Sequence, residues 1–266
     1  MIVSQNLAVN YKWRQEPVLK GVTGSFEGKL LILGPNGSGK TTFFKSICGL
    51  TNITSGEILI DGQNMKDLYA TSGLVSTNFQ DIFTLVASNV YDIIKLYTDL
   101  SDGNADLAFE IINTMGIGLD LLKKQKLTEL SAGQAKIVCS ALALAMKAKY
   151  VLLDEPFEEL DPAKKGKLIK YLDDYHGNIL ANTHETWLLK RLQDWNVFFM
   201  FEGLIYGPVA VKDLLNANIS FVEDPDALLT IKVANKTISI LKGGTKGTLL
   251  SSLENLDRIY DLTEEA

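Results

Sequence analysis

Hydrophobic residues form several short, uninterrupted runs along the chain, and most of these runs stop at glycine or polar residues. The predicted strands occupy residues 2–3, 7–9, 29–33, 57–60, 150–153 and 178–181, and three of them begin with a polar residue, Lys29, Glu57 or Asn178. Continuous apolar runs such as those within 29–33, 150–153 and 178–181 suit parallel strands that are covered on both faces. The run 57–60 leads into Asp61-Gly62, a common turn dipeptide. The pattern therefore predicts strands in the first part of the chain and again after residue 150.

The hydrophobic period changes between about residues 88 and 129, where apolar residues recur every three or four positions. The recurring positions are Val90, Ile93, Ile94, Tyr97, Leu107, Ile111, Ile112 and Met115. This spacing is typical of helices and predicts a helical subdomain over about 81–146. Beyond residue 218 the pattern predicts a hairpin with strands at 228–233 and 237–241, then a helix from Leu249 to Tyr260. The chain is thus predicted to be α/β, with one domain over 1–218 and a small appendage over 219–266.

Composition and charge exclude several classes of function. The 266 residues are 46% hydrophobic, which is enough to bury a substantial core. There are 26 Lys and Arg against 32 Asp and Glu, a net charge of -6, so no nucleic-acid partner is expected. The two cysteines, Cys48 and Cys139, lack metal-type spacing and are predicted to be buried in a reducing cytosol.

The chain carries no sequence signal for export or for membrane insertion. Its first residues lack the basic region and the long apolar run of a signal peptide. The two most apolar stretches, 137–146 and 197–211, are shorter than the roughly 20 apolar residues that a membrane helix needs. Any function at a membrane is therefore predicted to depend on a separate partner protein.

A glycine-rich segment follows the run 29–33 directly. Residues 34–42 read Gly-Pro-Asn-Gly-Ser-Gly-Lys-Thr-Thr, which fits the P-loop pattern between a strand and a helix. Backbone N–H groups of such a loop point at phosphate oxygens, and the following helix adds its positive N-terminal dipole. Lys40 is expected to neutralise the β- and γ-phosphates, and the Thr41 hydroxyl to bind Mg²⁺. The predicted nucleotide-binding residues are Asn36, Gly37, Ser38, Gly39, Lys40, Thr41 and Thr42.

Two further segments narrow the reaction class, since kinases, GTPases and motor ATPases all use a P-loop. Downstream of the P-loop lies the segment Leu130-Ser131-Ala132-Gly133-Gln134, which is followed by an apolar helix. Residues 150–156 come next and read Tyr-Val-Leu-Leu-Asp-Glu-Pro. This arrangement resembles the signature and Walker B segments of ATP-binding-cassette (ABC) ATPases, over roughly residues 1–215. The resemblance implies a P-loop NTPase core with an antiparallel β-subdomain and an inserted helical subdomain. The hydrophobic pattern beyond residue 218 adds the predicted small C-terminal appendage of a β-hairpin and a helix.

The resemblance also implies catalytic roles. Asp154 is expected to reach a water in the Mg²⁺ shell, and Glu155 to act as the general base that aligns the attacking water. His184, which follows the run 178–181, matches the family's switch histidine and is expected to contact the γ-phosphate. Tyr11 is the predicted adenine-stacking aromatic, with Trp13 as its competitor.

The position of the family's Q-loop glutamine is open between two residues. Gln80 has a suitable separation from Lys40 and is the preferred assignment, as a ligand of Mg²⁺ and a contact to the nucleotide. The preceding segment 73–77 equally places Thr77 there.

The signature segment departs from the family pattern at one position. Ala132 replaces the usual first glycine and should fit if its φ is negative. Ser131 and Gly133 are intact, and the resemblance implies that they grip the γ-phosphate bound to the opposite subunit, with Gln134 beside them. Asp161 belongs to the family's D-loop and is also expected at the nucleotide, although two acids precede its Leu-Asp pair.

Together these features predict an ATPase that binds ATP and Mg²⁺, and the resemblance implies that it pairs head to tail, either with its own copy or with a sister subunit. The resemblance implies that it powers transmembrane permease subunits from the cytoplasmic face of the membrane. The substrate is not encoded here, and the tail after residue 219 only loosely resembles that of export-type subunits. The alternatives are a non-transport ABC ATPase acting in macromolecular assembly or remodelling, and a module that binds ATP without turnover.

Overall fold

The computed structural model describes residues 1–68, 71–233, 236–243, 247–253 and 255–259. In chain order the strands and longer helices are β1 (Ile2–Val9), β2 (Leu19–Phe26), β3 (Lys29–Leu33), α1 (Lys40–Ile47), β4 (Ser55–Ile60), β5 (Gln63–Asn64), β6 (Val75–Thr77), α2 (Gln80–Phe83), α3 (Val90–Leu100), α4 (Ala105–Thr114), α5 (Leu119–Lys124), α6 (Ala132–Ala145), β7 (Tyr150–Asp154), α7 (Pro162–Asp174), β8 (Asn178–Thr183), β9 (Asn196–Phe201), β10 (Leu204–Ala210), α8 (Val211–Leu214), β11 (Asn218–Ser220), β12 (Leu229–Val233), β13 (Lys236–Leu241) and β14 (Thr248–Leu249).

Two compact units divide the chain. The first comprises Met1–Tyr69 together with Asn182–Ala266, and the second comprises Ala70–Ala181. This division does not coincide with the predicted boundary between residues 218 and 219, which stays a prediction.

The first unit opens with an antiparallel sheet in the order β2-β1-β4-β5. Ile2 of β1 lies opposite Phe26 on one side and Ile60 on the other. All three side chains are buried, because alternate residues of each strand face the interior. This sheet is the predicted antiparallel β-subdomain, although sequence reasoning missed β2.

Aromatic packing joins this sheet to the helix that follows the P-loop. The ring of Phe26 lies 5.1 Å from Phe43 of α1 and 4.9 Å from Phe198 of β9, measured between ring centroids. Tilted aromatic pairs at this distance stabilise the fold beyond the free energy that comes from burying their apolar surface. Behind them, β3 pairs in parallel with β9, and β9 pairs with β10 in antiparallel fashion. The strand β3, which precedes the P-loop, is therefore held in place by its pairing with the buried strand β9.

The C-terminal part of the first unit is a four-stranded sheet in the order β12-β13-β11-β14. The pairing of β12 with β13 confirms the predicted hairpin, whose turn residues 234–235 lie outside the described residues. The predicted helix from Leu249 to Tyr260 is wrong over its first half. Leu249 ends β14, a 3-10 turn spans Leu250–Ser252, and helical geometry is found only at 258–259, next to undescribed residues. Pairing of β14 with β11 overrides the local helical spacing.

The second unit contains the predicted helical segments, the strands β6 and β7, and residues 178–181 of β8. Asn89 and Asn104 cap α3 and α4, because each side-chain oxygen accepts a hydrogen bond from a first-turn N–H group. Ten of the 14 residues of α6 are buried, as expected for a helix that is apolar on all sides after Lys136. The strands β6 and β7 pair in parallel, with Thr77 opposite Leu152. In the described residues, no helix is long and apolar enough to cross a membrane.

The two cysteines differ in environment. Cys139 on α6 is buried, as predicted, whereas Cys48 is only partly buried. Burial raises the pKa of the Cys139 thiol to about 12, because the charged thiolate is poorly solvated there.

We predict that Cys139 stays unmodified by a thiolate-selective reagent at pH 8 in the folded protein and reacts only after unfolding. A Cys48→Ser variant leaves Cys139 as the single thiol, so that its reaction is measured alone by absorbance, with and without denaturant. Rapid modification of this variant in the folded state would contradict the raised pKa.

Candidate nucleotide site

The P-loop lies between β3 and α1 in the first unit. Gly39 precedes α1 in the left-handed region, with φ 108°, and a Cβ there would lie 2.9 Å from the Leu19 side chain. Only glycine fits this turn without strain. The loop is also anchored by backbone hydrogen bonds, from Gly34 N–H to Thr183 O at 3.1 Å and from Gly203 N–H to Ser38 O at 3.0 Å.

Two polar side chains of the P-loop are buried. The ammonium of Lys40 donates to the carbonyl oxygens of Gly34 at 2.8 Å and Pro35 at 3.1 Å. The Ser38 hydroxyl is buried and has no hydrogen-bond partner among the described residues. A buried hydroxyl without a partner is costly, and a phosphate oxygen would satisfy it. The loop therefore fits a polyphosphate, with Lys40 as its counter-charge and the exposed Thr41 hydroxyl as a hard oxygen ligand for Mg²⁺.

An open cleft of about 530 Å³ extends from the P-loop to the loop between β1 and β2. Its lining comprises Arg14, Gln15, Glu16, Pro17, Val18, Lys20, Gly37 and Glu202. In the same loop the rings of Tyr11 and Trp13 stack on each other, with centroids 5.4 Å apart and planes 14° apart. Tyr11 is partly buried and Trp13 is 77% exposed. Both aromatic candidates are thus within the loop that borders the cleft.

His184 directly follows β8, as the apolar run predicted, and its backbone is held by the C-terminal segment. Leu256 N–H donates to His184 O at 3.0 Å, and Asn255 forms an antiparallel bridge with Glu185. At the end of this segment, Asp257 accepts a hydrogen bond from Asn36 N–H at 2.8 Å. The C-terminal segment therefore contacts both the P-loop and His184, which the sequence pattern did not indicate. The second histidine, His176, is exposed, as its polar surroundings suggest.

In the second unit, the two acidic residues of the Walker B segment stand at the end of β7. Asp154 is the last residue of the strand and Glu155 follows it, and both are partly buried. Glu155 is in the left-handed region, with φ 43°, which is uncommon for a residue other than glycine. Such strained backbone is concentrated at functional sites. The carboxylate of Asp154 is a hard oxygen donor of the kind that Mg²⁺ accepts.

The two candidates for the Q-loop position differ in exposure. Gln80 begins α2 and is exposed. Thr77 is the last residue of β6, is buried, and its hydroxyl has no hydrogen-bond partner among the described residues. Thr77 therefore stands at a strand end, as Asp154 does, whereas Gln80 lies three residues beyond it.

The signature segment forms the start of α6. Ser131 is the N-cap, and it exchanges hydrogen bonds with Gln134: the Gln134 N–H donates to Ser131 Oγ at 3.3 Å, and the Ser131 N–H donates to Gln134 Oε1 at 3.0 Å. This capping box satisfies two N–H groups of the first turn. Ala132 is the first helical residue, so its replacement of glycine is accommodated.

Gly133 lies against the D-loop. A Cβ at Gly133 would lie 2.6 Å from the carbonyl oxygen of Glu159, a distance that backbone atoms do not tolerate. Two residues further on, Asp161 caps α7 through the Lys164 N–H at 2.9 Å. The Lys164 ammonium also lowers the pKa of the Asp161 carboxyl. The D-loop acid thus has a structural role here, in addition to its predicted one.

The sequence profile of the ABC transporter family matches residues 23–158. The chain is 29% identical over 209 residues to the energy-coupling factor transporter ATP-binding protein EcfA of Methanoculleus marisnigri, covering 74% of each chain. It is 34% identical over 209 residues to an ABC transporter ATP-binding protein of Pyrococcus abyssi, covering 72% of this chain and 78% of that protein. A solved structure described as a cobalt transport ATP-binding protein superposes with a TM-score of 0.91, at 32% identity, covering 98% of this chain and 100% of the other.

With the P-loop, the signature segment and the Walker B strand end all present, the chain belongs to the ABC transporter family. The expected P-loop α/β architecture is confirmed, because the superposition extends over nearly the whole chain.

The close approach of Gly133 to Glu159 makes a prediction about stability. Replacement of Gly133 by Ala should lower the free energy of unfolding by about 1–3 kcal/mol, because the added methyl group forces the backbone apart. Urea denaturation monitored by circular dichroism measures this change.

The matched control is Gly166→Ala, in the exposed interior of α7, where an added Cβ meets nothing within 4 Å. This variant should be more stable by about 0.5–1 kcal/mol, because alanine is the better helix former. Equal stability of the two variants would contradict the packing argument.

Proposed function

We propose that this chain is the ATP-hydrolysing subunit of a membrane transporter, converting ATP and water to ADP and phosphate to drive separate transmembrane subunits. The observation that carries the proposal is the complete set of hydrolytic motifs on a chain that matches a transport ATP-binding protein over 98% of its length. We place the protein on the cytoplasmic face of the membrane, attached through its transmembrane partner. Residues 1–218 would form the ATPase domain, and 219–266 the appendage.

We assign the phosphates of ATP to the P-loop residues 36–42. The backbone N–H groups and the dipole of α1 would face the negative charge, and Lys40 would neutralise it. The buried Ser38 hydroxyl has no hydrogen-bond partner among the described residues, and it would donate to a phosphate oxygen. When bound, Mg²⁺ supplies charge neutralisation at the phosphate oxygens. Thr41 and Asp154 would hold it.

Glu155 would act as the general base toward the attacking water, and His184 would hold the geometry at the γ-phosphate. A partly buried carboxylate on a strained turn can be held rigidly, which this role requires. Gln80 remains the predicted metal contact of the loop after β6, but the buried, unsatisfied hydroxyl of Thr77 supports Thr77 as its alternative.

The signature residues Ser131, Gly133 and Gln134, with Asp161, are proposed to complete the site on a second subunit. Ser131 and Gln134 are held by the capping box, so a serine hydroxyl stands at the positive end of α6, a helix of 14 residues. Such an end favours an anion such as the γ-phosphate. ATP would then link two subunits, and loss of the γ-phosphate would release them. The pair would be two copies of this chain or a heterodimer with a sister ATPase.

Transport is favoured over the alternative of macromolecular assembly, because the relatives reported above are named as transporter ATP-binding proteins. Binding without turnover is disfavoured by the presence of Lys40, Asp154, Glu155 and His184 together.

We predict that Glu155→Gln retains ATP affinity and lowers turnover by roughly 10²- to 10³-fold, because the amide cannot accept the proton of the attacking water. It should also accumulate an ATP-bound dimer, measured by size-exclusion chromatography with light scattering, with and without MgATP. Glu158→Gln is the matched control, since Glu158 is exposed nearby, and it should turn over normally. Undiminished hydrolysis by Glu155→Gln would remove Glu155 from the mechanism.

The stacked pair in the loop before β2 allows a second test. Tyr11→Ala should weaken ATP binding at least roughly fivefold, because a base–aromatic stack contributes about 1–3 kcal/mol. Tyr11→Phe, which keeps the ring, should bind ATP as the parent protein does. Affinities are measured by equilibrium titration with a fluorescent ATP analogue. If Trp13→Ala causes the larger loss, Trp13 is the stacking residue and the assignment to Tyr11 is wrong.

A further inference from the structure

Asn78 makes an unusual set of contacts with the Walker B strand in the second unit. It follows β6 directly and its side chain is only 5% exposed. The side-chain amide pairs with both backbone groups of Asp154: Oδ1 accepts from the Asp154 N–H at 2.7 Å, and Nδ2 donates to the Asp154 C=O at 3.1 Å. The Asn78 N–H also donates to Leu152 O at 3.3 Å. The amide therefore continues the parallel pairing of β6 and β7 beyond its last backbone pair.

Only an asparagine side chain meets both requirements at this position. An amide of this length offers one donor group and one acceptor at the spacing of a peptide N–H and C=O. Aspartate lacks the donor and leucine lacks both groups. Without the amide, the N–H and C=O groups of a partly buried residue would each lose this bond, and a buried backbone group left without any partner costs about 1–3 kcal/mol.

The contact lies where the chain leaves the strand under strain. Glu155, the next residue, has a φ of 43°, and such a conformation costs about 1–3 kcal/mol unless its surroundings enforce it. The Asp154 carbonyl oxygen receives a second hydrogen bond, from Lys136 Nζ at 3.2 Å. The backbone of Asp154 is thus held at its N–H and doubly at its C=O, one bond away from the strained residue.

The same amide also reaches the helix that begins at the signature segment. Asn78 Nδ2 lies 3.3 Å from Ser140 Oγ on α6, and Lys136 belongs to the same helix. One side chain therefore connects β6, β7 and α6.

We propose that Asn78 is the positioning residue for the Mg²⁺ ligand Asp154. By holding both backbone groups of Asp154, Asn78 would fix the backbone position from which the Asp154 carboxylate extends. It would also stabilise the left-handed conformation of Glu155. This inference rests on the proposed function, in which Asp154 holds the metal. Residues that orient a metal ligand without touching the metal typically change metal affinity by about 10- to 100-fold when they are replaced.

The test separates metal-dependent from metal-independent nucleotide binding in Asn78→Ala. Affinity for a fluorescent ATP analogue is measured with Mg²⁺ and with EDTA in place of Mg²⁺. We expect affinity with Mg²⁺ to fall roughly tenfold and affinity in EDTA to stay at the parent value. The Mg²⁺ concentration for half-maximal turnover should rise by a similar factor. Ser140→Ala, which leaves both contacts between Asn78 and Asp154, is the matched control and should keep the parent Mg²⁺ dependence.

Asp154→Asn serves as the reference, because it removes the proposed ligand itself. If Asp154→Asn loses the Mg²⁺-dependent affinity and Asn78→Ala does not, or if Asn78→Ala weakens binding equally in EDTA, the inference is overturned while the proposed function stands. If Asp154→Asn changes nothing, its role as metal ligand fails, and the inference fails with it. Circular dichroism checks the fold of each variant. Should Asn78→Ala not fold, Asn78→Ser is measured by the same criteria, since its shorter hydroxyl cannot bond directly to both Asp154 backbone groups and the same fall in Mg²⁺-dependent affinity is expected.

Discussion

The candidate catalytic residues of this protein lie at or just beyond the ends of buried strands, because the strands themselves are covered by apolar packing. A parallel strand buried on both faces has no room for an unpaired carboxylate or hydroxyl along its length. Such groups can stand only where the strand stops and the backbone turns. The P-loop follows β3, Thr77 ends β6, Asp154 ends β7 and His184 follows β8. The positions of the candidate catalytic residues therefore depend on where the apolar runs stop.

A second consequence is that several candidate site residues also hold the local backbone. Ser131 and Gln134 satisfy the first turn of α6, and Asp161 satisfies the first turn of α7. The N-termini of helices carry unpaired N–H groups, so the residues that cap them stand at the end of the helix that also favours a phosphate. Substitution of these residues will thus affect stability as well as chemistry, and the two effects have to be measured separately.

The C-terminal appendage is part of the same compact unit as the P-loop. Leu253 and residues 255–257 lie beside 184–186: besides the contacts with His184 and Glu185, the Thr186 hydroxyl donates to Leu253 O. A further contact places the Asp257 carboxylate against the Asn36 amide of the P-loop. A carboxylate in this position adds negative charge beside a loop that is suited to bind phosphate.

The sequence by itself determined the features that depend on neighbouring residues. The run 29–33 and the glycines after it specify a strand and a P-loop, and the helical spacing from Val90 to Met115 specifies helices, because backbone geometry follows from local side-chain pattern and turn residues. Catalytic candidates at the strand ends could be named for the same reason, with help from the family resemblance.

Only the tertiary structure decided the contacts between distant parts of the chain. Helical spacing after Leu249 was overridden by pairing of β14 with β11, and β2 became a strand through pairing with β1. Asn78 and Asp154 are 76 residues apart, and Asn36 and Asp257 are 221 apart. No local pattern encodes such pairs, because whether a polar side chain finds its partner depends on the packing that brings two buried segments together.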